Sequence, residues 1–527
     1  MATIEKEEVY KGIWKIANDL RGSVDGWDFK QYVLGMLFYR YLSENLTQYL
    51  NDFEGDNFNY ATLEDSEITE EIKEEIINVK GFFIYPSELF ENIVKTINNK
   101  ETEENLNEII QNIFNKIELS AYGADSEDDI KSILSDIDVN SNKLGATIKN
   151  RCENLKKLII GIDSMNLKSY NSNSIDTFGD AYEYLISMYA SNAGKSGGEF
   201  YTPQEVSKLL AKICIGNKTK IRKVYDPTCG SGSLLLQFPK LLGKENILEG
   251  IYGQEKNTTT YNLCRMNMFL HNINYSKFNI KNGDTLEENM HKIDKPFDVI
   301  VSNPPYSVKW KGDSEPTLIN DPRFSPAGIL APKSKADLAF IMHIISMLSN
   351  DGIAAVVCFP GILYRGDVTS KTGGAEAKIR KYLIENNFVD SIIQLPENLF
   401  YGTSTSTCIM TLKKSKTDDK VLFVDASKEF IKATNNNKLT DENIKNILDI
   451  FENRKEIDFK STLISKDEIA KEKYNLSVST YVEPEDTTEK IDIDILNKEL
   501  KEIVEKENIL RANIDKIIAE IEGEMNE

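Results

Sequence analysis

Apolar residues along this chain first recur at helical spacing and then, past the first third, gather into short unbroken runs. Val9, Ile13, Ile16 and Leu20 form one stripe at steps of three and four, and Tyr32, Val33, Met36, Leu37, Tyr39, Tyr41 and Leu42 form a denser one. Both predict amphipathic helices, so 1–165 reads as a helical N-terminal domain. From 166 to 415 the pattern changes. Runs at Ile221–Tyr225, Ile251–Glu255, Phe297–Ser302, Gly352–Phe359, Val389–Leu395 and Thr405–Leu412 alternate with helical stretches such as Leu234–Leu242 and Ala336–Leu348. Continuous apolar strands are buried on both faces, which predicts an α/β, doubly wound, mostly parallel Rossmann-like sheet. Residues 416–483 read as a mixed extension. In 484–527, Ile493, Leu496, Leu500, Ile503, Leu510, Ile514, Ile517 and Ile521 alternate steps of three and four, with Glu507 the one interruption. That is a heptad seam, and one helix cannot bury it alone.

The strand ends carry the candidate chemistry. Asn303-Pro304-Pro305-Tyr306 follows the run ending at Ser302. Two prolines cannot continue a ladder, so the chain leaves the sheet where α/β folds bind ligands. A side-chain amide, a backbone carbonyl and an aromatic ring presented together suit a planar group bearing an amine. Upstream, Asp226 ends a strand directly before Pro227-Thr228-Cys229-Gly230-Ser231-Gly232-Ser233. Glycines admit close backbone approach, and a carboxylate ahead of them favours a cationic or zwitterionic ligand over a pyrophosphate. Glu255, at the next strand end, is placed to accept from ribose hydroxyls. Asp284, in the turn Asn282-Gly283-Asp284-Thr285, could accept from an adenine amine.

Asp-Pro-x-x-Gly-x-Gly, an acidic strand end and Asn-Pro-Pro-Tyr, in that order, resemble the amino-group DNA methyltransferases. Gly198-Glu199-Phe200-Tyr201-Thr202-Pro203 lies ahead of the glycine loop, as in the subclass whose methionine-binding motif comes first. Phe178–Leu185, Gly373–Arg380 and Leu395-Pro396 narrow the resemblance to the modification subunit of type I restriction-modification systems, over roughly Tyr32 to Lys414. The resemblance implies N6-adenine methylation with S-adenosyl-L-methionine as cofactor. It places Asn303, Pro304, Pro305 and Tyr306 at the reacting base. Glu199, Phe200, Tyr201, Thr202, Pro203, Gln204, Asp226, Gly230, Ser231, Gly232, Ser233, Glu255 and Asp284 would hold the cofactor. The implied partners are double-stranded DNA, a DNA-specificity subunit, a restriction/translocase subunit and a second copy of the chain. The C-terminal seam would pair with the specificity subunit, with itself, or back onto the N-terminal domain. N4-cytosine methylation uses similar chemistry, and a non-catalytic assembly subunit is the rival of another class. A glutamine methyltransferase shares the tetrapeptide but lacks the helical domain. Gly194-Lys195-Ser196 mimics the end of a phosphate loop, yet Tyr189 stands where its first glycine belongs.

Composition adjusts this picture. At 527 residues the chain can hold two to four domains. No apolar stretch approaches a membrane span, and the start, Met1 to Glu8, lacks the pattern of a signal peptide. Six cysteines without a Cys-x-x-Cys pair, and three histidines, predict no metal site and a reducing, cytoplasmic setting. A net charge of −21 is awkward for a protein acting on DNA, because phosphate neutralisation supplies much of the affinity. Either a local basic surface (Lys309, Lys311, Lys333, Lys335, Arg365 and Lys371 flank the catalytic strand) or a separate DNA-reading subunit must answer it. The long stretch Ser307–Ser334 is expected to be mobile until DNA arrives.

Overall fold

The computed structural model describes residues 10–13, 15–16, 26–55, 58–165, 167, 177–192, 201–370, 374–400, 404–433, 436–485 and 493–524. Val9, Leu20, Gly194–Ser196, Glu199, Phe200 and Lys371 lie outside them. Two compact units result, Met1–Glu483 and Pro484–Glu527.

The first unit begins with helices. Among them α1 (Gly26–Glu54), α2 (Leu106–Ser120) and α3 (Ile148–Asp163) are followed by α4 (Thr177–Asn192) and α5 (Gln204–Ile215). The aromatic stripe from Tyr32 to Leu42 is buried within α1, as are Ile13 and Ile16 ahead of it. Arg265, itself almost wholly buried, joins this helical region to the sheet domain. Its Nη1 donates to the carbonyls of Asp128 (2.9 Å), Asp129 (3.1 Å) and Lys131 (3.0 Å), and Tyr182 donates from its hydroxyl to the Leu263 carbonyl.

Nine strands form the sheet: β1 (Ile221–Asp226), β2 (Ile247–Glu255), β3 (Phe278–Asn282), β4 (Phe297–Ser302), β5 (Leu348–Cys358), β6 (Val389–Gln394), β7 (Cys408–Lys413), β8 (Lys420–Asp425) and β11 (Ser461–Ser465). A two-residue pair, β9 (Ile431–Lys432) and β10 (Asn437–Lys438), stands apart. The order is β11-β8-β6-β7-β5-β4-β1-β2-β3. β1 to β5 run parallel, and β7 is antiparallel between β5 and β6. β8 and β11 continue the sheet beyond residue 415, β8 parallel to β6 and β11 antiparallel to β8. Both faces are covered. Val299, Val301, Ala355 and Val357 pack in one buried cluster, while Ile300, Ala354, Val356 and Cys358 pack in the other. Neighbouring residues thus serve opposite cores, which is why these runs are apolar throughout. The flanking helices include α6 (Thr258–Leu270), α7 (Asp337–Met347), α8 (Ala375–Glu385) and α9 (Asp441–Glu452).

Strand order reverses at β1, which lies between β2 and β4, so a crevice opens at the carboxyl ends of these three. One local expectation is corrected there. The helix after the glycine loop spans Gln237–Leu242 instead of starting at Leu234. Irregular turns fill the gap, closed by the Leu236 amide on the Gly232 carbonyl (3.0 Å), because Gly232 keeps φ at +80° and the chain must first turn past α6. The second unit holds α10 (Ile493–Glu524), a single uninterrupted helix carrying the heptad residues.

Candidate active site

Register brings the strand-end residues together. Asp226 pairs in β1 with Gly253 of β2, and Glu255 pairs with Asn282 of β3, so two carboxylates stand at one edge. Asp226 is buried, and burial pushes its carboxyl up to about 7 despite bonds from the Thr228 amide (2.9 Å) and from Ser302. The Thr228 and Ser302 hydroxyls meet at 2.7 Å, tying the glycine loop to the strand that carries Asn303. Glu255 accepts from the Gly230 amide (3.1 Å) and the Asn257 amide (2.8 Å), and burial raises its carboxyl too.

The glycine loop packs too tightly for side chains. A Cβ on Gly232 would stand 2.8 Å from Cys264 Sγ and 2.9 Å from Met268 Cε. Gly230 also has positive φ, +54°. The Ser231 and Ser233 hydroxyls lie 3.1 Å apart, and Asn267 Nδ2 donates to the Ser231 carbonyl (2.9 Å). Asp284 carries one donor on each oxygen, Lys256 Nζ at 2.9 Å and the Leu286 amide at 3.0 Å, and each oxygen can accept a second.

The segment ahead of α5 reaches the Asn303–Tyr306 turn. Asn303 Nδ2 donates to Thr202 Oγ1 (3.2 Å), and the Tyr306 hydroxyl donates to Asn303 Oδ1 (2.9 Å). Tyr201 and Thr202 are buried, and Pro203 caps α5. Gln204 Oε1 accepts from Gln237 Nε2 (2.6 Å), while Gln204 Nε2 has no hydrogen-bond partner among the described residues. Glu199 and Phe200 fall outside the described residues. The Tyr306 ring is 6.3 Å from that of Phe359, and burial holds its hydroxyl well above the usual range.

Beyond the tetrapeptide, the segment expected to be mobile is anchored. Arg323 Nη1 donates to the Thr285 carbonyl (2.6 Å) and its Nη2 to the Leu286 carbonyl (3.1 Å), with Asp321 as countercharge. Thr285 in turn donates to the Pro227 carbonyl (2.5 Å), so the loop closes onto the glycine-loop strand. The Trp310 amide donates to the Lys333 carbonyl (3.0 Å) and the Ala336 amide to the Val308 carbonyl (2.9 Å). Lys309, Lys311, Lys333 and Lys335 therefore share one two-ply ribbon leaving the tetrapeptide, the first three exposed and the last half-exposed. Lys311 pairs with Glu287 at 3.0 Å. Arg365 is no surface charge, since it is bound to Glu376. Sequence reasoning assigned no role to Arg323 or Asp337, and Glu376 entered it only as a member of the Gly373–Arg380 motif.

Comparison with known proteins decides the family. A model described as N-6 DNA methylase matches residues 173–490, and one for the HsdM N-terminal domain matches 9–162. The chain belongs to the N-6 DNA methylase family. The MpnII methylase subunit of a type I restriction enzyme from Mycoplasma pneumoniae is 50% identical, spanning 98% of this chain and 97% of that one. The MjaVII methylase subunit from Methanocaldococcus jannaschii is 34% identical over 68% of this chain and 61% of its own. Among solved structures, the type I restriction-modification methyltransferase subunit from Streptococcus thermophilus matches with a TM-score of 0.81 at 35% identity, covering 90% of this chain and 99% of that one. This methylase is accordingly a DNA adenine-N6 methyltransferase subunit of the type I kind. Among the described residues, no helix is long and apolar enough to cross a membrane.

Proposed function

We propose that this methylase modifies an adenine rotated out of double-stranded DNA, with Asn303 and the Pro304 carbonyl gripping the amine. The observation that carries the reading is the convergence of Asn303, Thr202 and the buried Asp226 at three neighbouring elements of one crevice. The residues suit S-adenosyl-L-methionine: the buried Asp226 carboxyl, raised to about 7, has no cationic partner among the described residues, and the glycine cradle admits backbone contact where a Cβ would clash. When bound, that cofactor supplies a methyl carbon on a positively charged sulfur. Thr202, Gln204 and Asp226 would face its amino-acid end, Gly230 to Ser233 its middle, and Glu255 and Asp284 its ribose and adenine; Glu199, Phe200, Tyr201 and Pro203 complete the set.

The adenine amine is a poor nucleophile because its lone pair is delocalised into the ring. Asn303 Oδ1 and the Pro304 oxygen accept its two hydrogens, which localises density on nitrogen. As the new carbon–nitrogen bond forms and the methyl carbon's bond to sulfur breaks, its electron pair staying on sulfur, the same fixed dipoles would meet the positive charge growing on nitrogen. The amine becomes acidic once alkylated and releases its proton to solvent, so no strong base is required. Tyr306 leaves Asn303 to stack on the extruded base, worth roughly 1–3 kcal/mol against the few lost on unstacking; Pro305 fixes the turn between them.

Lys309, Lys333 and Lys335 would contact phosphates beside the site. The heptad face of α10 would pair with a helix of a DNA-specificity subunit, which supplies the recognition this acidic chain lacks, with a restriction/translocase subunit and a second copy completing the assembly. Asn303→Ala tests the core of the reading. It should abolish methyl transfer while labelled cofactor still binds with the parent's affinity; a variant that methylates at the parent's rate refutes it.

A further inference from the structure

The residue after the tetrapeptide is held in an unusual way. Ser307 has φ +53°, a region costly for a serine unless neighbours impose it. Its amide donates to Asp337 Oδ1 at 3.0 Å. Asp337 opens α7, only 7% exposed, and its second oxygen has no hydrogen-bond partner among the described residues. Arg365 Nη2 lies 3.9 Å from that oxygen and is itself fixed by Glu376, whose Oε1 accepts from Nε (3.1 Å) and Nη2 (2.8 Å). Arg380 Nη1 pins the same segment by donating to the carbonyls of Ile362 (2.9 Å) and Arg365 (2.8 Å). Glu376 and Arg380 belong to the Gly-Gly-Ala-Glu-Ala-Lys-Ile-Arg motif, which marks the family resemblance but has had no role. The geometry ties that motif to the catalytic turn through Arg365, Asp337 and the Ser307 amide in succession.

A buried carboxylate with one oxygen unsatisfied is costly, and packing alone does not call for one. We propose that Asp337 is a positioning residue for methyl transfer: it clamps the Ser307 amide and so sets the exit of the Asn303–Tyr306 turn, with the Arg365 guanidinium, itself held by Glu376, 3.9 Å from its other oxygen. The inference rests on Asn303 being the amide that grips the base. A clamp of this kind acts on the geometry of the reacting pair. Small misplacements of a catalytic group lower kcat far more than they change ground-state binding.

The assembled enzyme should be assayed with Asp337→Ala, Asp337→Asn and Asp337→Glu, reading kcat, the KM for S-adenosyl-L-methionine and the fluorescence of 2-aminopurine placed at the target position. Asparagine keeps an acceptor for the Ser307 amide and should hold kcat within about threefold of the parent. Glutamate keeps the charge but moves the acceptor by one methylene, and should lower kcat about tenfold or more at unchanged KM for the cofactor. Alanine should behave as glutamate does, with the base still extruded. If alanine fails to fold, the asparagine–glutamate contrast carries the test. Parent-level kcat in the glutamate variant, equal losses in asparagine and glutamate, or a parallel loss of cofactor binding would each overturn the clamp. An active Asn303→Ala enzyme would instead sink the reading beneath it, whereas a dead Asn303→Ala with a fully active Asp337→Glu sinks only the clamp.

Discussion

Replacing Asp226 with asparagine separates charge from shape at the floor of the crevice. The parent carboxyl is raised to about 7 because burial outweighs the bonds it accepts from Thr228 and Ser302. An asparagine oxygen can still accept from the Thr228 amide, so the loop keeps its form. Only the ionised carboxylate attracts a cationic ligand. From pH 8 to pH 6 its ionised fraction falls about tenfold, and apparent affinity for S-adenosyl-L-methionine should weaken by about the same factor. At pH 8 the asparagine variant should bind roughly 10- to 150-fold more weakly, the worth of a hydrogen bond to a charged group at about 1.5–3 kcal/mol. Its own pH dependence should be distinctly shallower, since the Asp226 contribution is gone. Calorimetric titration at several pH values measures both, and taking the difference between parent and variant removes the contribution of Glu255, which burial also raises. A variant with the parent's pH slope would refute the reasoning. The sign for stability is the opposite one. A folded-state value above the unfolded value of 3.8 means the folded protein holds a proton that the unfolded chain has released. That stabilisation is present below about pH 4 and lost as pH rises through about 7. Cofactor-free parent should therefore lose melting temperature across this window relative to Asp226→Asn.

Three other outcomes follow from the same geometry. Gly232→Ala places a Cβ 2.8 Å from Cys264 Sγ at a φ of +80°, and should lower unfolding free energy by about 1–3 kcal/mol while abolishing cofactor binding; denaturant melts and binding assays check it. Changing Lys309, Lys333 and Lys335 together to glutamine should reduce the salt-dependence slope of DNA binding in the assembled enzyme by about 2–3 at unchanged cofactor affinity, and an unchanged slope would remove the ribbon from the DNA interface. Leu500→Glu with Ile503→Glu in α10 should stop co-purification with the specificity subunit and leave cofactor binding intact, whereas retained assembly would place the partner elsewhere.

Pattern alone was enough for what rests on neighbouring residues. β1, β2 and β4 were legible because strands buried on both faces must be apolar throughout, and the chain's exit after Ser302 because two prolines cannot pair. The stripe in α1 was legible because a helix core repeats locally. The same logic named the carboxylates and the amide at the strand ends. It could not reach what depends on distant partners. Neither the delay of a regular helix to Gln237 nor the closing of Ser307–Ser334 by Arg323 is written nearby, since one depends on packing against α6 and the other on carbonyls 37 and 38 residues upstream. β8 carries the unbroken apolar run Val421-Leu422-Phe423-Val424, but that it and β11 extend this sheet depends on register with β6 and with each other, which local pattern does not announce. In the sequence Arg365 read as part of a basic surface, Glu376 only as a member of the Gly373–Arg380 motif, and Asp337 as nothing in particular. Only folding set one carboxylate against the Ser307 amide and the others behind it, because a buried charge acquires its meaning from the groups brought to it across the chain.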